Sequence, residues 1–283
     1  MSEGLLPVPP TVAARLDGRP LAVMLDVDGT LAPIAPRPGE AAVPAETSRV
    51  VAALAALPDV HVVLVSGRAA ADARRMVGVA NVWVIGNHGF EVVSPDGDEM
   101  EQPELETWRS PIARAARRIA PLVAPVPGVF LEDKGWTLSV HYRLADSKVV
   151  PRLIESVERV AEPLGLRVSR GKMVLEVRPD VRVDKGTAVL RLAAELDALP
   201  GKGDGTTQAD DGNPSPTDAG GSTLFVGDDR TDEDAFRALR SRSSRVVTVR
   251  VTNGEDIATA AEFSVEDPAA VRKLLEWLLQ RSR

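Results

Sequence analysis

Residues 21–30 read LAVMLDVDGT, an apolar run that ends in Asp26, Val27, Asp28, Gly29 and Thr30. The run predicts a buried strand over 21–25. Two carboxylates at its mouth, two residues apart, are costly to bury without partners. A divalent cation and a phosphate would offset that cost. The pattern points to phosphoryl transfer, with Asp26 attacking phosphorus and Asp28 acting first as acid and then as base. The competing reading is a strand-to-turn junction with solvated acids, because Asp and Gly are common turn residues.

Outward from this strand, short β-branched runs alternate with helical periodicities. A helix is predicted over 46–57, where Val50, Leu54 and Leu57 recur at i, i+4 and i+7. A strand over 61–65, a helix over 69–76 and a strand over 82–85 follow. The alternation resumes with a helix over 187–196, a strand over 223–226, a helix over 233–239, a strand over 245–251 and a helix over 269–279. This order implies a doubly wound, Rossmann-like α/β core with a parallel sheet covered on both faces. The middle differs: helix 104–123, strands 129–132 and 137–142, helix 149–164, strands 166–169 and 173–177. We therefore expect an α+β cap over 103–178, inserted into a core made of 1–102 and 179–283. Residues 200–221 are rich in Gly, Asp, Thr and Pro and nearly free of bulky apolar side chains. They are expected to form a flexible insertion in the core.

The 283 residues, 44% hydrophobic and 27% charged, suffice for one large or two modest domains with a real core. The net charge of −7 comes without a long basic run. That argues against a nucleic-acid or anionic-membrane partner, so an anionic substrate must meet cations concentrated locally. There is no cysteine, which excludes disulfides, thiolate catalysis and Cys-based metal sites and fits a reducing compartment. The opening stretch lacks a basic segment followed by an apolar one, and no run approaches a membrane span. The expectation is a cytoplasmic monomer that acts on a small molecule.

Three further clusters each follow a predicted strand or open a helix. Ser66 and Gly67 end the strand 61–65, where a hydroxyl and exposed amides at a helix start can cradle phosphate. Asp184 is placed as an N-cap and Lys185 at the helix N-terminus, where an ammonium could hold Asp26 and a phosphate together. GDDRTDED at 227–234 packs five acids into seven residues. A solvated helix start accounts for Glu233 and Asp234, but not for Asp228 directly after a buried strand. Magnesium takes carboxylate oxygens and completes its shell with water and phosphate. Asp228 with Asp26 would supply such ligands, and Asp232 could orient the waters.

At this point the sequence resembles the haloacid dehalogenase-like phosphatase superfamily. DVDGT, Ser66, Lys185 and GDDRTDED match its four motifs in order. The resemblance implies Asp26 as nucleophile, Asp28 as general acid/base, and Ser66 with Lys185 on phosphate. It implies Mg2+ held by Asp26, the Asp28 carbonyl and Asp228. A narrower likeness covers most of the chain. GNHG at 86–89, EDKG at 132–135, HYR at 141–143, GKMVLEVRP at 171–179 and GDDRTDEDAF are similar to trehalose-6-phosphate phosphatases. In that family a lid closes over the core and reads the disaccharide. The matching lid positions are Lys134, Arg170, Lys172 and Glu176, with Asn87 and His88 near the interface. Asp184 stands where the family often has Asn, and the 200–221 stretch is longer than the resemblance leads one to expect.

Sugar hydroxyls need donors and acceptors, which supports the lid reading; ordinary solvated hairpin charges are the alternative. Trp83, Trp108 and Trp277 read as core, and Trp136, just after a lid turn, as a residue bordering the sugar. His141 reads as a strand residue. The expected function is Mg2+-dependent hydrolysis of trehalose 6-phosphate. The rivals are a phosphatase for another sugar phosphate such as sucrose phosphate, a non-catalytic sugar-phosphate-binding module, and a phosphomutase.

Overall fold

A computed structural model describes residues 3–34, 41–171, 173–199, 220–240, 242–255 and 257–283. Lys172 and nearly all of the 200–221 stretch lie outside the described residues. The chain divides into two compact units, Met1–Glu99 with Val183–Arg283, and Met100–Arg182.

The first unit begins with β1 (Glu3–Gly4), α1 (Pro10–Arg15), β2 (Leu21–Asp26), α2 (Ala45–Ala55), β3 (Val60–Val65), α3 (Ala70–Val77), β4 (Trp83–Gly86) and β5 (Glu91–Val93). The second unit holds α4 (Pro103–Glu106), α5 (Arg109–Val123), β6 (Phe130–Asp133), β7 (Leu138–His141), α6 (Val150–Ala161), β8 (Leu166–Arg170) and β9 (Val174–Pro179). The first unit resumes with α7 (Lys185–Glu195), β10 (Ser222–Gly227), α8 (Asp232–Arg240), β11 (Val246–Val251), β12 (Phe263–Val265) and α9 (Pro268–Arg281).

Among the described residues, eight strands form one sheet in the order β1-β12-β11-β10-β2-β3-β4-β5. All neighbours are parallel except β4 and β5. Every residue of β2 is buried, as a central strand covered on both faces requires. Leu21, Val23 and Leu25 join one core with Leu54 of α2 and Leu274 of α9. On the other face Phe225 of β10 meets Phe236 of α8 edge-on at 5.4 Å. The chain leaves β2 for β3 on one side and reaches β10 on the other. The sheet order therefore reverses at β2, where ligands bind in open α/β sheets.

In the second unit, β6-β7-β9-β8 form an antiparallel sheet. Leu138, Val140, Leu175 and Val177 pack against Ile112, Ile119, Leu153 and Val157 of α5 and α6. The alternating residues Glu132, Ser139 and Glu176 share the opposite face and form one cross-strand row.

The doubly wound α/β class with a separate α+β sheet is as expected. Two helices are interrupted or end sooner than their periodicity suggests. The expected helix 104–123 is broken into α4 and α5, because the ring of Pro111 would clash with the Thr107 carbonyl in a continuous helix. Likewise α6 gives way to a tight 3-10 turn at Glu162–Leu164, since Pro163 supplies no amide. The two- and three-residue strands β1, β5 and β12 and the short α1 were not expected. Elements that brief carry too little periodicity to be seen.

Candidate active site

Asp26 is the last residue of β2 and is 4% exposed. The chain then turns sharply: the Gly29 amide donates to the Ala32 carbonyl at 2.8 Å. Gly29 has φ +88°, and a Cβ there would lie 2.0 Å from Asp228 Oδ2. Only glycine permits both the turn and the approach of Asp228.

Lys185 opens α7 and is 2% exposed. A capping box holds it there. Asp184 accepts from the Thr187 amide at 2.8 Å, and the Thr187 hydroxyl accepts from the Asp184 amide at 3.1 Å. Lys185 Nζ donates to Asp26 Oδ1 and to Asp232 Oδ1, both at 2.8 Å. Burial alone would lower the ammonium's pKa; Asp232, Asp26 and Asp229 more than reverse this and hold it well above its ordinary value. Burial also pushes Asp26 up to about 7, against the pull of Lys185.

Asp232 is fully buried. Its Oδ1 accepts from Lys185, and its Oδ2 accepts from the Asp228 and Asp229 amides at 3.0 Å. Asp232 thus folds the loop after β10 and steadies the ammonium. Asp229 accepts from the amides of Thr231 and Asp232 and starts α8. Asp228 follows β10 beside Asp26, and burial, with Asp232 and Asp229 nearby, pushes its carboxyl up to about 7.

Oxygens of Asp26, Asp228 and Asp232 lie within 4.8 Å of one another. Asp26 Oδ2, Asp228 Oδ1 and Thr30 Oγ1 are buried and find no hydrogen-bond partner among the described residues. Buried oxygens without protein partners are positions where a cation or water can bind. Hard oxygen donors gathered this way suit a divalent cation such as Mg2+. Asp26 and Asp228 fit as its holders. Asp232 has both oxygens engaged by donors, so it serves by holding Lys185 and the loop.

Ser66 follows β3, which pairs with β2. Its Oγ accepts from the Arg68 amide at 3.1 Å, and that bond leaves the hydroxyl proton free to be donated. A Cβ on Gly67 would come within 2.4 Å of the His88 ring, so this loop needs glycine. Asn87 and His88 both have left-handed φ, near +54° and +57°. Their amides donate to the Arg68 and Ser66 carbonyls at 2.7 and 3.0 Å. Asn87 is buried, and its side-chain amide reaches Glu91 at 3.4 Å. These two residues brace the Ser66–Gly67 loop from within the first unit.

Sequence reasoning missed two residues. Arg68 grips Asp28 with both guanidinium arms, at 2.6 and 2.7 Å. The signal was an arginine directly after the Ser-Gly pair. Asn253, in the loop after β11, donates to Gly29 O at 2.9 Å and to Asp228 Oδ2 at 3.2 Å. No local pattern marks it.

In the second unit, Lys134 lies in the β6–β7 turn with a side chain only 9% exposed, 3.9 Å from Glu176. The Ser139 hydroxyl lies 2.9 Å from both Glu176 oxygens. On the same face His141 meets Glu132 at 2.8 Å and stacks on Phe130 at 4.4 Å. Lys134 and Glu176 are thus together. Arg170 is not with them: it points toward Glu158 of α6, 3.7 Å away, while its neighbour Ser169 pairs with Glu176. Trp136 is a correction. It is buried, with the Arg109 guanidinium 3.8 Å over its ring, and does not border an open face. Trp108 and Trp277 pack against the two cores, while Trp83 is half-buried.

The profile of the trehalose-phosphatase family matches residues 24–269. A trehalose-phosphate phosphatase of Mycobacterium avium is 34% identical over 268 residues, covering 94% of this chain and 64% of its own length. An uncharacterized glycosyl hydrolase of Mycobacterium tuberculosis is 35% identical over 266 residues, 93% of this chain and 18% of its own. The chain thus spans less than two thirds of these relatives. The structure of Aspergillus fumigatus trehalose-6-phosphate phosphatase superposes with a TM-score of 0.64 at 27% identity, covering 99% of each chain. With the four motifs gathered at one end of the sheet and a family match spanning most of its length, this chain belongs to the trehalose-phosphatase family.

Proposed function

We propose that this chain hydrolyses trehalose 6-phosphate to trehalose and phosphate. One observation carries the reading: Asp26 has one oxygen fixed by buried Lys185 and the other bare, at the point where the sheet order reverses. An oxygen so placed is oriented and desolvated, as a nucleophile must be. Asp26 attacks phosphorus and the bond to the sugar oxygen breaks. Asp28 gives that oxygen a proton. Asp28 then takes a proton from water, which attacks phosphorus, frees phosphate and restores Asp26. Ser66, the Gly67 amide and Lys185 hold the phosphate. Asp26, Asp228 and the Asp28 carbonyl would hold Mg2+, which when bound would neutralise charge and orient the phosphoryl group. Sugar recognition is assigned to Lys134 and Glu176, with Lys172.

The test is phosphate release across a panel of sugar phosphates, with and without EDTA. We expect trehalose 6-phosphate to lead the panel and EDTA to abolish turnover. A faster sucrose phosphate would change the sugar. Transfer of phosphate to a second hydroxyl, without free phosphate, would make the chain a mutase. Tight binding without turnover in Mg2+ would make it a binding module.

A further inference from the structure

We propose that Asn253 is a positioning residue that aims the Asp228 carboxylate at the bound cation. The inference rests on the metal-dependent reading above. The Asn253 Nδ2 group has two hydrogens, and it has two acceptors in reach: Gly29 O at 2.9 Å and Asp228 Oδ2 at 3.2 Å. The first acceptor belongs to the turn just after Asp26, the second to the loop after β10. One amide therefore ties together the two loops that carry the cation's holders. With Oδ2 engaged, Asp228 can turn only its other oxygen inward, and Oδ1 is the buried atom that finds no partner among the described residues.

The choice of an amide matters. A Lys or Arg here would orient Asp228 equally well but cancel the negative charge that attracts the cation. A neutral donor fixes direction and leaves the charge in place. The backbone supports the side chain. Asn253 has φ +48°, a left-handed conformation that Asn tolerates better than most residues. Its own amide is anchored to the Glu266 carbonyl at 2.9 Å, beside the N-cap of α9.

Metal-stripped wild type, Asn253→Gly and Asn253→Ser would be titrated with Mg2+ by calorimetry and with Mn2+ by electron paramagnetic resonance. Glycine keeps the left-handed backbone and deletes only the donor. Serine keeps a polar side chain too short to reach. We expect each variant to weaken metal binding about 10-fold or more, the usual effect of losing a group that orients a metal ligand. Melting of the metal-free variants should stay close to that of wild type. A role in loop stability alone would lower metal-free melting and leave the dissociation constant unmoved, which overturns the proposal. Wild-type affinity in either folded variant overturns it as well. A wild type that binds no Mg2+ would instead remove the functional reading on which the proposal stands, and the proposal with it.

Discussion

The two oxygens of Asp26 have unlike surroundings, one on Lys185 and the other without a hydrogen-bond partner among the described residues. An amide at this position would keep the shape and lose the nucleophile. Asp26→Asn should fold normally and lose turnover by on the order of 10³-fold or more; steady-state phosphate release checks this. Burial holds Asp26 and Asp228 up at about 7 in the metal-free protein. For acids raised in this way, the folded metal-free chain gains from protons as pH falls through 7 and loses that gain as pH rises. Protons thus compete with Mg2+ most strongly at the acid end. The rise in melting temperature on adding Mg2+ should be larger at pH 8 than at pH 6; an equal rise would count against the site. Arg68 holds Asp28 with both guanidinium arms. Asp28 serves both the leaving group and the attacking water, so Arg68→Ala should slow turnover of trehalose 6-phosphate and of an aryl phosphate alike, by on the order of 10-fold or more; an unchanged rate on both would count against this role. At this scale Asp26, Asp28, Lys185 and Asp228 were readable because each lies at the end or start of an element or within two residues of one. Asn253 was not: it meets Asp228 only through the folding of two distant loops.

At the scale of elements, α7 exists where it does because Asp184 caps it and Thr187 returns the bond. The cap also delivers Lys185 into the sheet end. Asp184→Ala should cost about 1 kcal/mol and lower the melting temperature by about 2–4 °C for a chain of this size. Differential scanning calorimetry measures the loss; no change would mean that packing alone sets the helix start. This cap was visible in the sequence, as were the strands that precede each motif. The break between α4 and α5 was not, because apolar periodicity continues across 107–108, where Pro111 one turn later interrupts the helical backbone. The same held for β5 and β12. A strand of three residues gives no period of its own.

At the scale of the whole molecule, two cores are built from separate residues, one around β2 and one around β7 and β9. Chains with two such units need not unfold in one step. Leu138→Ala should cost about 2–5 kcal/mol and move the unfolding of the Met100–Arg182 unit while leaving that of the other in place. Hydrogen exchange resolved by peptide would show it, and equal loosening of both units would contradict it. The fold class was legible because strand and helix alternate on either side of a run that reads differently. The sugar was not legible from periodicity: Lys134 and Glu176 show a charged, half-buried pair, and the family likeness is what points to a disaccharide. The central claim is that phosphorus rests on Asp26. Asp28→Asn with 4-nitrophenyl phosphate and Mg2+ isolates that step, because this leaving group departs without a proton and the water step then stalls. We expect a burst of nitrophenolate equal to the enzyme present, and a peptide bearing Asp26 that gains the mass of one phosphoryl group. A phosphoryl group on another residue, or turnover with no burst and no adduct, would contradict the account.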